Sequence, residues 1–267
     1  MSLDQSPIAE NIGSTIADDP IDISYILHLA DCSLVMGHRL SEWTGHGPML
    51  EQDIAISNIA LDHIGQARNF YQYAALLSGN GATEDTLAYF RQEREYKNLL
   101  MIELPNGDWA KTMGKIFFFS SFQYLLYQQL IGSNDKQLAA IAEKSLKEVT
   151  YHRRWSSEWV IRLGDGTIES HDKMQDALNE LWSYTGEMFM ASEFELKAMA
   201  KGLSADVPSL ESNWKEYVLK IIGDATLDIP VNAWMHAGGK NGLHTEHLGF
   251  LLAEMQHLQR TYPGCEW

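Results

Sequence analysis

Cysteine is nearly missing from this chain: Cys32 and Cys265 are the two among 267 residues. A pair so placed builds no disulfide framework and suits a reducing cytoplasm. Basic residues are scarce too, with 20 Lys and Arg against 36 Asp and Glu and a formal net charge of −16. That balance argues against nucleic acid or an anionic membrane surface as the main partner, since both are recognised through a basic footprint. Long hydrophobic runs are lacking as well. A membrane span needs about 20 apolar residues, and "IFFF" at 116–119 stops after four. The opening "MSLDQSPIAENIGSTIADDP" has neither the basic nor the apolar region of a signal peptide, so the expected location is the cytoplasm. Alternating strand patterns between hairpin turns are also absent.

What is present is helical periodicity. Residues 1–22 are polar and aperiodic and read as a flexible N-terminal arm. From Ile23, an apolar face containing Ile26, Leu27, Ala30, Leu34 and Val35 predicts a helix that ends near "EWTGHGP". A second helix is expected over 50–78, closed by Gly79, and a shorter one over "EDTLAYFRQEREYKNL". A third long helix starts near Asp108, and "SND" at 133–135 caps a fourth. Further helices are expected over about 172–202, 210–223 and 244–260. Two long hairpins followed by extra helices predict an all-α, ferritin-like four-helix bundle with additional C-terminal helices, a single domain over 23–267.

Such bundles often hold two irons, which require about four carboxylates and two histidines at one height. In an antiparallel hairpin, residues at equal height lie equally far from the turn. With the first turn centred on Pro48 and the second near 134–135, the inward positions are Ser33, His63, Gln66, Ser120, Val149 and His152. None is a carboxylate, and a di-iron centre without one is chemically implausible.

The same segments carry a resemblance. "LDHIGQARNFYQYAALLSG" and "KEVTYHRRW" look like degenerate forms of the "DExxH" and "KEExxH" helices of bacterial ring-1,2-phenylacetyl-CoA epoxidase catalytic subunits. Trp43, Pro48, Leu50, Asp62 and Gly65 fall in register with that pattern. "RLSEWTGHGP", "IALDHIGQARNF", "TEDTLAYF", "ELPNGDWA", "GGKNGLHTEHLG" and "LAEMQHLQR" resemble the non-catalytic branch of that family, its C component, along nearly the whole chain. The resemblance implies a structural subunit that supports the di-iron catalytic subunit in phenylacetate catabolism, with no cofactor of its own. It also implies a heteromer, self-association of the isolated chain, and at most indirect contact with phenylacetyl-CoA. The alternatives are a ferritin-like oxygenase active on its own, or a module that binds coenzyme A thioesters.

By the same resemblance, Asp62 and Glu148 occupy positions where an acid orients a histidine ligand on a neighbouring helix. The expectation is that Asp62 now bonds His152 and that Glu148 faces Gln66 or a nearby cation; ordinary half-exposed helix charges are the competing reading. Lys240, in the glycine-rich "GGKNG", is a candidate contact for coenzyme A phosphates or a partner chain, although the loop lacks the P-loop pattern. Glu254 and His257 form a literal Glu-x-x-His outside the bundle and read as a coincidence, and Glu42 with His46 as a surface pair.

Overall fold

The computed structural model describes residues 23–79, 81–230 and 234–265, and every regular element among them is helical. The arm expected over 1–22 lies outside the described residues. Helix α1 (Ile23–Ser41) turns back through 42–49 into α2 (Leu50–Ser78), which closes at Gly79 with φ 63°. Short helices α3 (Glu84–Tyr89) and α4 (Leu100–Glu103) follow. Asp108 accepts from the Lys111 N–H at 2.9 Å and starts α5 (Trp109–Leu130). Asp135 accepts from the Leu138 N–H at 2.8 Å and starts α6 (Lys136–Gly164). Beyond them lie α7 (Ile168–Trp182), α8 (Glu193–Ala200), α9 (Val207–Asp224), α10 (Glu246–Met255) and α11 (His257–Thr261).

Packing follows from which helices are apolar all round. α1 lies along α2, α5 lies along α6, and α2 meets α6, closing a ferritin-like four-helix bundle. α7 and α9 cover the outside of α5, and α4 and α8 cover α1. α5 is therefore buried almost throughout, as "KIFFFSSF" requires, and α9 is pinned to it by the Trp214 indole N–H donating to the Phe118 carbonyl at 3.1 Å. α2 and α6 keep an uncovered outer face. Gly37 lets α1 approach α2, because a Cβ there would meet Ile64 Cδ1 at 2.8 Å. Gly65 is different. A glycine inside a helix costs about 0.5–1 kcal/mol relative to alanine, yet a Cβ at Gly65 would meet nothing within 4 Å. Packing among the described residues does not account for it.

The four long helices match their expected spans; the shorter elements differ. The helix expected over 84–99 stops at Tyr89, and the chain continues through a single 3-10 turn, Glu93–Glu95. The cause is tertiary: Arg91 turns inward to pair with buried Asp31, which also accepts the Lys97 N–H at 2.8 Å. The segment expected over 172–202 divides into α7, a 3-10 turn at Gly186–Phe189 and α8. The last helix breaks at Gln256, whose buried amide donates to the Arg91 carbonyl at 3.1 Å and the Tyr96 hydroxyl at 3.0 Å.

Four carboxylates are buried among the described residues, Asp31, Glu103, Glu187 and Glu195, and each is matched. Asp31 pairs with Arg91 and accepts from the Tyr71 hydroxyl. Glu103 lies 2.9 Å from His244 Nδ1 and accepts from Asn98 and the Thr245 N–H. Burial alone would lower the His244 pKa, but the hydrogen bond and charge of Glu103 outweigh it and raise the imidazole. Glu187 accepts three backbone N–H groups, from Leu100, Gly238 and Gly239, at 2.7–2.8 Å. The "GGKNG" loop thus does cradle an anion, but the anion is the protein's own. Gly239 is required because a Cβ would run into the Asn98 carbonyl.

The expected role for Lys240 is corrected here. Its side chain is 3% exposed and its ammonium lies 3.0 Å from both Glu195 oxygens and 2.9 Å from the Met190 carbonyl. A buried ammonium so engaged does not reach a solvent-borne phosphate. Replacing Arg91 by Met leaves Asp31 charged in the interior without its cation. A loss of about 3–5 kcal/mol is expected, read as a lower urea midpoint at unchanged slope.

Candidate functional site

The inward positions do converge, in two clusters one turn apart. In the first, His63 from α2 and His152 from α6 face each other with ring centroids 5.1 Å apart, and Phe119 from α5 stacks on His63 at 6.0 Å. His152 Nε2 lies 2.9 Å from Asp62 Oδ2, an imidazole N–H donating to a carboxylate at the bundle surface. In the second cluster, the Gln66 amide donates to Glu148 at 2.8 Å and its carbonyl accepts from the Tyr127 hydroxyl at 3.2 Å. Two α2–α6 bridges, Asp62–His152 and Gln66–Glu148, therefore lie side by side across the helix pair. Each pairs an acid with a neighbour on the opposite helix.

The remaining positions contribute less. Val149 is fully buried hydrocarbon. Ser33 bonds its own helix at the Leu29 carbonyl, 3.1 Å away. Ser120 reaches toward Ser156 at 3.5 Å, one turn past His152, so it lies further along α6 than its expected level of 149–152. Tyr127 is the residue that sequence reasoning missed. It stands seven residues after Ser120, and that spacing returns to the same helix face. Burial, moderated by its hydrogen bonds to Ser33 and Gln123, raises the Tyr127 pKa, so the phenol remains a neutral donor. The decoy motif falls apart in space: Glu254 and His257 are exposed on either side of the break at Gln256. Glu42 bonds Arg39 and Asn106 rather than His46, whose ring faces the Thr44 carbonyl.

Electrostatics at the centre favour neutrality. His63 is 1% exposed, and burial, reinforced by the neighbouring His152, holds its pKa well below the usual imidazole value. Nδ1 of His63 and Nδ1 of His152 have no hydrogen-bond partner among the described residues. The donor set offered to a metal is thus two imidazoles, one amide and two hydroxyls, while Asp62 and Glu148 are engaged by His152 and Gln66. Two irons need several anionic oxygens to offset their charge, and these residues do not fit such a centre. Among the described residues, no group of three or more His, Cys, Asp or Glu is placed to hold a metal ion.

A family model described as phenylacetic acid catabolic protein matches residues 10–267. The chain belongs to that family. The C component of the 1,2-phenylacetyl-CoA epoxidase of Escherichia coli (strain K12) is similar to it, 48% identical over 244 residues, which is 91% of this chain and 98% of that protein. In this member of the phenylacetic acid catabolic family, no helix among the described residues is long and apolar enough to cross a membrane.

A pH dependence follows from His63. The unfolded chain takes up a proton near pH 6.5 that the folded His63 refuses, so the unfolded state binds more protons and stability falls as pH drops from about 7 to 5. His63→Leu should flatten that slope and leave stability at neutral pH unchanged or higher, because a buried nitrogen without a partner is removed. Urea unfolding of the two proteins across this range measures it.

Proposed function

We propose that this chain is the non-catalytic, structural subunit of a cytoplasmic phenylacetyl-CoA epoxidase complex, with residues 23–267 forming one ferritin-like unit. In this reading a related catalytic subunit holds the two irons and epoxidises the aromatic ring. This chain binds that subunit and stabilises its active geometry. The observation that carries the proposal is the closure of the bundle centre by the protein's own side chains. Asp62 bonds His152 and Glu148 bonds Gln66 at the height where a catalytic bundle needs anionic ligands. The similarity to the C component of a bacterial epoxidase supplies the complex in which such a bundle serves.

The structural role also suits the buried network around α1. Its paired charges hold α4, α8 and the 238–245 segment on the bundle. Phenylacetyl-CoA then meets the partner, and at most the rim of this chain.

The test is reconstitution with the catalytic subunit. Purified alone, the chain should carry far less than one iron per molecule. Assembled with wild-type partner, the His63→Leu chain should support epoxidation within about twofold of wild type per assembled complex. Stoichiometric iron in the isolated chain, or assembly without activity in His63→Leu, would replace this reading with an oxygenase centred on the two histidines.

A further inference from the structure

Three arginines are wholly or partly withdrawn from solvent among the described residues: Arg39, Arg91 and Arg153. Two of them are well supplied with acceptors. Arg91 pairs with Asp31 and donates to the Leu87 and Glu95 carbonyls. Arg39 donates to Glu42 and to the Glu103 carbonyl. Arg153 is the exception. Its Nε is buried without an acceptor, and its guanidinium meets no carboxylate of a described residue. A donor cut off from water and left unpaired is costly, so buried N–H groups come with acceptors.

What surrounds Arg153 is aromatic. From α6 its guanidinium lies over the Tyr217 ring of α9, 3.4 Å from the centroid, and over the Tyr124 ring of α5, 4.3 Å from the centroid. Stacking of this kind engages the face of the planar cation and does nothing for the N–H groups in its plane. The phenols themselves do not serve as acceptors. Ser157 donates to the Arg153 carbonyl at 2.7 Å, so the 2.9 Å bond between Tyr217 and Ser157 uses the Tyr217 proton. The Tyr124 hydroxyl accepts from the Gln128 amide at 3.2 Å, which leaves its own proton uncommitted. One turn earlier on α5, the Ser121 hydroxyl is 2% exposed and unpartnered. Donors without acceptors thus accumulate where α5, α6 and α9 meet, on a different flank of α6 from the bridges to α2.

The missing acceptor has a definite chemistry. A guanidinium edge presents two parallel N–H groups at the spacing of two carboxylate oxygens. One cation also balances one negative charge. A phosphate carries up to about two near pH 7, and a chain of net charge −16 offers little to offset the second. We propose that Arg153, stacked on Tyr124 and Tyr217, is a carboxylate-binding site in which the guanidinium takes both oxygens and the Tyr124 hydroxyl donates a third hydrogen bond. The site stands apart from the histidine cluster and does not rest on the role assigned to the chain in a complex.

The experiment follows the Arg153 Nε–H signal in nitrogen-15 spectra of the full chain while acetate is added at constant ionic strength. The signal is identified by its loss in Arg153→Lys, which keeps the cation and the stem. A saturable shift is expected, with a Kd of about 1–10 mM, and calorimetry on the wild type should return the same affinity without any variant. Tyr124→Phe keeps the ring and should weaken binding about fivefold, whereas inorganic phosphate should bind more weakly than acetate. The peptide acetyl-Ala-Glu-Ala-amide separates the sources: tighter binding than acetate assigns the site to an acidic side chain of another protein, and weaker binding to a small free acid. A role in helix stacking alone gives no saturable shift, and that result overturns the proposal. A shift that chloride reproduces overturns it too, as does phosphate binding more tightly than acetate or a Tyr124→Phe chain with unchanged affinity.

Discussion

Charge neutralisation inside a helical bundle is the constraint from which the rest of this structure follows. An interior carboxylate is tolerated only when a cation or several N–H donors meet it. All four buried acids among the described residues obey that rule, and each does so by drawing an irregular segment onto α1 or its neighbours. Asp31 draws in Arg91 and ends α3. Glu103 and Glu187 fasten the 238–245 segment, and Glu195 holds Lys240. Loops that would otherwise be peripheral are thereby fixed against the core.

At the centre of the bundle the same rule is met by the opposite means. The inward positions carry imidazoles, an amide, hydroxyls and a valine, so little charge needs offsetting. The acids that remain, Asp62 and Glu148, sit at the α2–α6 edge and hydrogen-bond across it. A bundle arranged this way is self-contained. It places few charges at the centre and leaves α2 and α6 as the layer open to neighbours.

How much of this was legible depended on the distance over which the cause acts. The four long helices follow from local periodicity and caps such as Asp108 and Asp135, which act within one turn. The bond from His152 to Asp62 was expected from the resemblance, which puts an acid at 62 where it orients a histidine on a neighbouring helix. The break of α3 after Tyr89 was not, since its cause is Asp31, about 60 residues away. Lys240 misled for the same reason: a glycine-rich loop with a lysine reads as open to anions until Glu195 and Glu187 are seen to fill it. Tyr127 was within reach, because a seven-residue step from Ser120 returns it to the same face.

The amino-acid sequence by itself determined the helical class and the long-helix boundaries, because both depend on residue type and short-range spacing. Only the tertiary structure decided which buried charges meet, where the shorter helices break and which faces stay uncovered. Those outcomes depend on contacts between residues far apart in the chain, and the free energy of such a contact exists only once folding has brought both partners out of water.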